Sequence, residues 1–240
     1  MTMAEKDTSE KKRKTVICSG NTELDSKMGG GLPFGSLCLI EGSSGAGKSV
    51  LTQQILKGAL NQGLIASLFT SENTVKSLVT QMQSIDLDIL DFLLLTRFKV
   101  FPVELARLGQ QAPSALLGAM KKQVGRDLIV VDSFTSAIAQ SATNLLILSF
   151  FEECKRLCAT GMSVIVTLHA QAVNPDLVGP IRSMCDAHLQ LRSEQDGQRL
   201  VKTLEVAKIR GAASVTGAVV GFDVEPGWGM RVIPISKARG

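Results

Sequence analysis

Hydrophobic and polar positions change their period in blocks along the chain, and these blocks predict strands and helices in alternation. Short apolar runs predict buried strands at residues 16–18, 36–40, 64–69, 92–95, 128–132 and 163–168. Between them, helical spacing of apolar residues predicts helices at residues 21–28, 50–60, 74–83, 114–124 and 143–158. Uninterrupted apolar strands that alternate with helices indicate an α/β fold, with a mostly parallel sheet covered by helices on both faces.

The pattern changes in the final third of the chain, where strands follow one another without intervening helices. Strands are predicted at residues 187–191, 200–209, 219–224 and 231–235, joined by turns at Asp196-Gly197 and at residues 226–229. Such hairpins predict an antiparallel extension at one edge of the sheet. Residues 1–14 are polar and charged and are predicted to be a disordered tail, which leaves residues 15–240 as a single domain.

The turn after the second predicted strand carries the most specific chemical signal. The pattern G-x-x-x-x-G-K-[ST] is matched by Gly42, Ser43, Ser44, Gly45, Ala46, Gly47, Lys48 and Ser49. In such a loop the backbone N–H groups and the lysine contact phosphates, and the hydroxyl of Ser49 ligates Mg²⁺. The following helix, which includes Val50, directs its positive end toward the same phosphates. The sequence therefore predicts a binding site for a nucleoside triphosphate.

Three further polar residues follow predicted parallel strands, whose carboxyl ends surround the ligand crevice in this class of fold. Asp132 closes an apolar run, as the second Mg²⁺-coordinating acid of a phosphate-loop enzyme does. Glu72 is a candidate to orient and activate water, although it could be a solvated loop residue. His169 could sense the γ-phosphate or cap its strand, and His188 is predicted to be structural, on an edge strand.

Lys208 and Arg210 alternate with Ile209 late in the predicted sheet, so both side chains point to one side. Facing this chain's own site, they would form an arginine finger in cis. Their expected position at the edge of the sheet favours action on a neighbouring subunit instead.

Composition and charge exclude several classes of protein. The formal net charge is +4, and much of the excess positive charge lies in the tail run at residues 11–14. The rest of the chain is therefore close to neutral, which argues against strong nucleic-acid binding. No apolar run is long enough to span a membrane and no signal-peptide pattern is present, so a cytoplasmic protein is expected. The five cysteines are scattered and are predicted to be free thiols.

Four segments together resemble the KaiC branch of the RecA-type ATPases. They are residues 19–25, residues 30–35 with the phosphate loop, residues 70–74, and residues 204–211, which contain the Lys208–Arg210 motif that marks this branch. Within it, residues 71–74 and 87–95 are similar to the FlaH proteins, ATP-binding accessory proteins of the archaeal flagellum (archaellum) motor. The resemblance covers roughly residues 15–235 and implies a RecA-like fold that binds ATP and Mg²⁺.

The resemblance also implies an assembly and its partners. FlaH-like proteins form rings, here expected to contain six subunits, that dock on the motor ATPase and a scaffold ring at the cytoplasmic face of the cell membrane. Where KaiC proteins carry two adjacent glutamates, this chain has Glu72 followed by Asn73, and Ala212 and Ser214 replace a threonine and a histidine near the nucleotide. The expected function is a nucleotide-controlled assembly component with slow or no hydrolysis.

Two other functions remain open at this point. A KaiC-like signalling ATPase or kinase would use the same site. A RecA-type recombinase would need basic mobile loops with aromatic side chains to hold DNA. The corresponding segment, residues 170–180, contains no lysine, arginine or aromatic residue, and so no nucleic-acid partner is expected.

Overall fold

The computed structural model describes residues 15–138, 143–196, 199–211 and 216–233. The predicted tail at residues 1–14, Gly197 of one predicted turn, and Ala212 and Ser214 lie outside the described residues. So does the end of the strand predicted at residues 231–235. The division into a tail and one domain therefore stays a prediction.

Nine strands form one sheet in the order β11-β10-β9-β8-β3-β7-β6-β4-β5. Their bounds are β3 Leu37–Gly42, β4 Ala66–Thr70, β5 Phe98–Pro102, β6 Leu128–Asp132, β7 Ser163–Leu168, β8 Ala187–Asp196, β9 Arg199–Ile209, β10 Val219–Glu225 and β11 Gly229–Ile233. The strands from β8 through β3 to β5 are parallel, and β8 to β11 pair antiparallel. The predicted mostly parallel sheet with an antiparallel C-terminal extension is confirmed.

Helices cover both faces of this sheet. Their bounds are α1 Thr22–Lys27, α2 Lys48–Asn61, α3 Val75–Ser84, α4 Leu90–Leu94, α5 Ala112–Lys121, α6 Thr135–Ile138, α7 Asn144–Ala159 and α8 Pro175–Met184. Two hydrophobic cores result, one containing Ile55 of α2 and the other Phe150 of α7. Successive residues of β3 alternate between them, because Ile40 belongs to the first core and Leu39 to the second.

One predicted strand is wrong. Residues 92–95 lie in and just after helix α4, and the strand that pairs with β4 is β5, several residues later. Leu94 is 80% exposed and Leu95 is 66% exposed, so these leucines do not form a core strand. An unbroken apolar run has no period, and for that reason it does not distinguish a short helix from a strand.

The segment at residues 170–180, expected to be a loop, is mostly helical. A 3-10 turn at Ala170–Ala172 leads into α8, which is N-capped by the Asn174 side chain and has Pro175 at its first position. Asparagine followed by proline is a helix start signal, since proline lacks only an N–H that would be unpaired there. Two short strands, β1 Val16–Ile17 and β2 Leu32–Pro33, also pair where the sequence predicted only the first of them.

The parallel strands define two ends of the sheet. The carboxyl end is where β3, β4, β6 and β7 finish, and the amino end is where they begin. Strand β9 runs in the opposite direction, so Lys202 lies at the carboxyl end and Lys208 lies nearer the amino end, level with Leu39 of β3. Since β9 lies between β8 and β10, and β8 between β9 and β3, neither is the edge strand that was expected for Lys208 and His188.

Candidate functional site

The phosphate loop connects β3 to α2, and two of its glycines are required by their surroundings. A Cβ on Gly42 would lie 2.6 Å from the carbonyl oxygen of Leu191. Gly47 has a φ of +98°, and a Cβ there would lie 3.0 Å from the ring of Phe222. The antiparallel extension thus forms a wall beside the loop. Only glycine, which has no side chain, fits at these two positions.

The loop opens into a cavity of about 250 Å³, called here the phosphate-loop cavity. It is lined by Ser44, Gly45, Gly47, Lys48, Ser49, Val50, Glu72, His169, Lys202 and Val224. Lys48 is buried, and its Nζ donates to the carbonyl oxygen of Ser43 at 2.7 Å. Ser43 and Ala46 belong to the same loop but do not line the cavity, and Ala46 is buried in the core.

Asp132 ends strand β6 beside the loop and is buried. Its Oδ1 accepts a hydrogen bond of 2.7 Å from the hydroxyl of Thr167 on β7, and the hydroxyl of Ser49 also donates to it. Burial raises the pKa of Asp132, while these two bonds and the charge of Lys48 oppose the rise. A carboxylate held next to the serine hydroxyl at the start of α2 is an oxygen pair that suits Mg²⁺.

Glu72 follows β4 and lines the cavity. Surrounding protein and the charge of Asp132 raise the pKa of Glu72, and Lys48 opposes the rise, so the three charges lie within interaction range. The backbone N–H groups of Glu72 and Asn73 both donate to Oγ1 of Thr70 at 3.2 Å. A carboxylate with a raised pKa in such a place is suited to accept a proton from water.

Asn73, which stands where KaiC proteins have a second glutamate, has a local structural role. Its Oδ1 accepts a hydrogen bond of 3.1 Å from the hydroxyl of Ser77. Ser77 and Thr74 in turn form the capping box of α3. The Asn73 side chain is therefore engaged at the start of a helix.

His169 follows β7 and lines the cavity from the side of Asp132. Its backbone N–H donates to Oγ1 of Thr135 at 3.0 Å, which ties the end of β7 to α6. Partial burial and the charge of Lys48 lower the pKa of His169, and Asp132 opposes this. A lowered pKa favours the neutral imidazole over the charged one.

Sequence reasoning missed three residues that complete this arrangement. Thr167 binds Asp132, Thr135 holds the backbone of His169, and Lys202 of β9 lines the cavity opposite Glu72. Thr167 is a polar residue near the carboxyl end of a predicted strand, and that position could have identified it as a site residue from the sequence. Lys202 had no such signal, because its position depends on the register of β9 against β8.

Lys208 and Arg210 lie at the amino end of the sheet, away from the phosphate loop. Nζ of Lys208 donates to the carbonyl oxygens of Arg182 at 3.3 Å and Ser183 at 3.2 Å. Nη1 of Arg210 pairs with Oδ1 of Asp186 at 3.1 Å. Both cations therefore have hydrogen-bond partners in the single chain.

A buried carboxylate lies directly beneath the phosphate loop. Glu41, next to Gly42, is 1% exposed at its side chain and accepts two bonds from Arg182, of 2.5 Å and 2.9 Å. His188 Nε2 lies 2.9 Å from the same carboxylate, and an ionised carboxylate can only accept, so His188 is the donor. His188 is therefore bonded within the core, in keeping with a structural role.

A second and larger cavity, of about 600 Å³, shares no residue with the phosphate-loop cavity. It is lined by parts of α1, α2 and β11, and by the exposed Trp228. Neither Glu72 nor any residue of the phosphate loop lines it.

Three general features bear on the class of protein. No helix in the described ranges is long and apolar enough to cross a membrane. Across those same ranges, no group of three or more His, Cys, Asp and Glu residues could hold a metal ion on its own. All five cysteines are free thiols, as predicted, and four of them are buried.

Comparison with known proteins agrees with this geometry. The chain is 29% identical over 230 residues to the archaeal flagellar ATP-binding protein FlaH of Sulfolobus acidocaldarius, covering 93% of this chain and 99% of that protein. The crystal structure of the flagellar accessory protein FlaH from Methanocaldococcus jannaschii superposes with a TM-score of 0.77 at 24% identity, covering 92% of this chain and 99% of that one. The predicted RecA-like fold and the predicted similarity to FlaH proteins are both confirmed.

A more distant similarity links the chain to the circadian clock oscillator protein KaiC. The KaiC of Synechococcus elongatus is 25% identical over 228 residues, which cover 88% of this chain but only 42% of that protein. The family model described as the KaiC ATPase matches residues 17–237. With nearly the whole chain matched, this protein belongs to the KaiC family of ATPases.

Proposed function

We propose that the chain binds ATP and Mg²⁺ in the phosphate-loop cavity. The observation that carries this proposal is the convergence of Lys48, Ser49, Asp132 and Glu72 at the carboxyl end of the sheet. Lys48 and the loop N–H groups would contact the phosphates, and Ser49 and Asp132 would hold the metal ion. Bound Mg²⁺ offsets negative charge on the phosphate oxygens.

Hydrolysis is proposed to be slow. Glu72 is the candidate to orient and deprotonate water, His169 to contact the γ-phosphate, and Lys202 to contact the nucleotide from the opposite wall. Asn73 is an amide and supplies no second carboxylate, and its side-chain oxygen is bonded to Ser77. A single weakly assisted base supports turnover well below the roughly 10 s⁻¹ that is the median for enzymes.

The proposed assembly is a closed head-to-tail ring of six subunits. The phosphate loop begins at Gly42, whereas Arg210 lies near Leu37 at the other end of β3 and Lys208 lies level with Leu39. The five intervening steps along β3 correspond to about 16 Å, which is beyond the reach of an arginine side chain from its own strand. These cations are therefore suited to contact ATP held by an adjoining copy, as an arginine finger in trans.

In the cell, the proposed role is a nucleotide-controlled assembly component of the archaellum motor. It rests on the similarity to proteins named archaeal flagellar ATP-binding protein FlaH over nearly the full length of both chains. The ring would dock on the motor ATPase and a scaffold ring protein, in the cytoplasm at the inner face of the cell membrane. ATP would favour the ring, and ADP, which lacks the γ-phosphate, would weaken it.

Calorimetric titration tests the binding site. Lys48→Ala should abolish tight MgATP binding and leave the fold intact, because the ammonium contacts a loop carbonyl and no core side chain. Lys57→Ala, on the outer part of the same helix, is the matched control and should bind as the wild type does. Unchanged affinity in Lys48→Ala would refute the proposal.

Light scattering tests the assembly. The wild type should gain mass with ATP and lose it with ADP or without nucleotide, and Arg210→Ala should need a much higher ATP concentration to assemble. The same mass in all three states would contradict nucleotide control. Purification of the chain from its host then distinguishes an archaellum motor component from a KaiC-like signalling kinase. A motor component should co-purify with the motor ATPase, and a signalling kinase should not.

A further inference from the structure

The segment from Arg182 to Asp186, which runs from the last turn of α8 to the start of β8, contacts both ends of the phosphate-loop strand β3. At the carboxyl end, the guanidinium of Arg182 binds Glu41. At the amino end, Oδ2 of Asp186 accepts a hydrogen bond of 3.0 Å from the backbone N–H of Leu37. The backbone N–H of Asp186 also donates to the carbonyl of Leu37 at 2.8 Å. Asp186 is therefore fixed relative to the strand that carries the phosphate loop.

The same segment holds the two cations of the proposed ring interface. Arg210 is bonded to Asp186 twice, through its side chain at 3.1 Å and through its backbone N–H to the Asp186 carbonyl at 2.9 Å. Lys208 binds the carbonyl oxygens of the segment, and Lys155 of α7 also pairs with the Asp186 carboxylate. Burial would raise the pKa of Asp186, but the bonds from Lys155 and Leu37 and the charge of Arg210 outweigh it and lower the pKa.

Charge and exposure differ sharply between Asp186 and the cations that pair with it. Lys155 and Arg210 are two cations that share one carboxylate, which leaves a formal charge of +1. The Asp186 side chain is 10% exposed, whereas that of Arg210 is 56% exposed. Within the ranges that the structure describes, the Arg210 side chain donates only through Nη1. One side of the guanidinium is thus anchored, and the rest faces solvent with donors to spare.

We propose that Asp186 is a positioning residue, which holds the Arg210 guanidinium in the orientation needed to bind the triphosphate of an adjoining copy. This inference rests on the proposed trans role of Arg210. Without the carboxylate, Lys155 and Arg210 lose their shared partner and repel each other, and the Arg210 side chain regains rotamers that must be fixed again at assembly. A guanidinium fixed beforehand loses less conformational entropy when it binds phosphate.

The test compares Asp186→Asn, which keeps the shape but not the charge, with the wild type by light scattering over a range of ATP concentrations. We expect Asp186→Asn to need at least tenfold more ATP for half-maximal assembly. The ATP affinity of dilute, unassembled protein should stay within about twofold, because Asp186 lies at the opposite end of β3 from the phosphate loop. Asp186→Glu, which keeps the charge, should recover part of the loss. Glu225→Gln, which removes the partner of exposed Arg231, is the matched control and should assemble normally.

A double-mutant cycle separates this inference from the proposed function. Once Arg210→Ala has removed the side chain that Asp186 holds, Asp186→Asn should add no further defect. If Arg210→Ala assembles normally, the trans role fails and the inference fails with it. If Arg210→Ala is defective while Asp186→Asn or Asp186→Glu equals the wild type, only the role of Asp186 is refuted. If Asp186→Asn weakens assembly as much in the Arg210→Ala background as in the wild type, Asp186 acts independently of Arg210. That result would also refute the positioning role.

Discussion

Replacing Glu41 by glutamine should destabilise the protein, mainly through the loss of a buried charge. Glutamine keeps the shape of the side chain, but its NH₂ group cannot accept a hydrogen bond, so at least one bond from Arg182 or His188 is lost together with the charge. Burial by itself would raise the pKa of Glu41, but the hydrogen bonds from His188 and Arg182 and the charge of Arg182 outweigh it and lower the pKa from 4.5 to about 2. At about 1.36 kcal/mol for each pH unit, this difference corresponds to roughly 3 kcal/mol of unfolding free energy at neutral pH. The melting temperature should fall by about 6–12 °C.

The pH dependence gives this prediction its sharpest test. Because the pKa of Glu41 is lower in the folded state than in the unfolded chain, its stabilisation is complete above about pH 4.5 and is lost as the pH falls toward about 2. Urea unfolding should therefore give a difference between wild type and Glu41→Gln near pH 7 that shrinks to about half near pH 3. Glu104→Gln, which breaks an exposed pair with Arg107, should cost less than about 1 kcal/mol. A loss below about 1 kcal/mol for Glu41→Gln, or an equal loss at both pH values, would refute the reasoning.

Two further changes probe the site and the packing. Glu72→Gln should preserve ATP binding in calorimetry and suppress the slow turnover in a phosphate-release assay. Because the pKa of Glu72 is raised above 4.5, wild-type turnover should fall as the pH drops through that pKa. A Glu72→Gln variant as active as the wild type would show that Glu72 is not the base. Gly58→Ala should lower stability by about 1–3 kcal/mol in urea unfolding although alanine favours helices, because its Cβ would lie 2.2 Å from the Cys18 carbonyl oxygen. Gly118→Ala, on another helix with open space around it, should instead stabilise by up to about 1 kcal/mol, and similar effects of the two changes would contradict the packing described.

Features set by neighbouring residues could be predicted from the sequence. The phosphate loop is one continuous segment, and Glu72, Asp132 and His169 each follow a strand whose carboxyl end faces the same crevice. Their grouping follows from the general geometry of parallel sheets and needs no knowledge of individual contacts. For the same reason the order of helices and strands was largely predictable.

Features that depend on distant pairings could not be predicted. Arg182 reaches Glu41 across 141 positions of sequence, and no local pattern announces this contact. Lys202 enters the phosphate-loop cavity only because β9 pairs with β8 in one particular register. The strand wrongly predicted at residues 92–95 failed for another reason, since four consecutive apolar residues carry no periodicity and their exposure depends on what packs over them.

The contact between Gly47 and the ring of Phe222 has a consequence for biosynthesis. The wall of the phosphate loop is made by a strand that follows it by roughly 175 residues, and a ribosome adds about 5–20 residues each second. The nascent chain therefore carries an incomplete loop for on the order of ten seconds or more, until β10 leaves the ribosome and pairs with β9. The site is among the last parts of the protein to be finished, although its signature lies near the start of the chain.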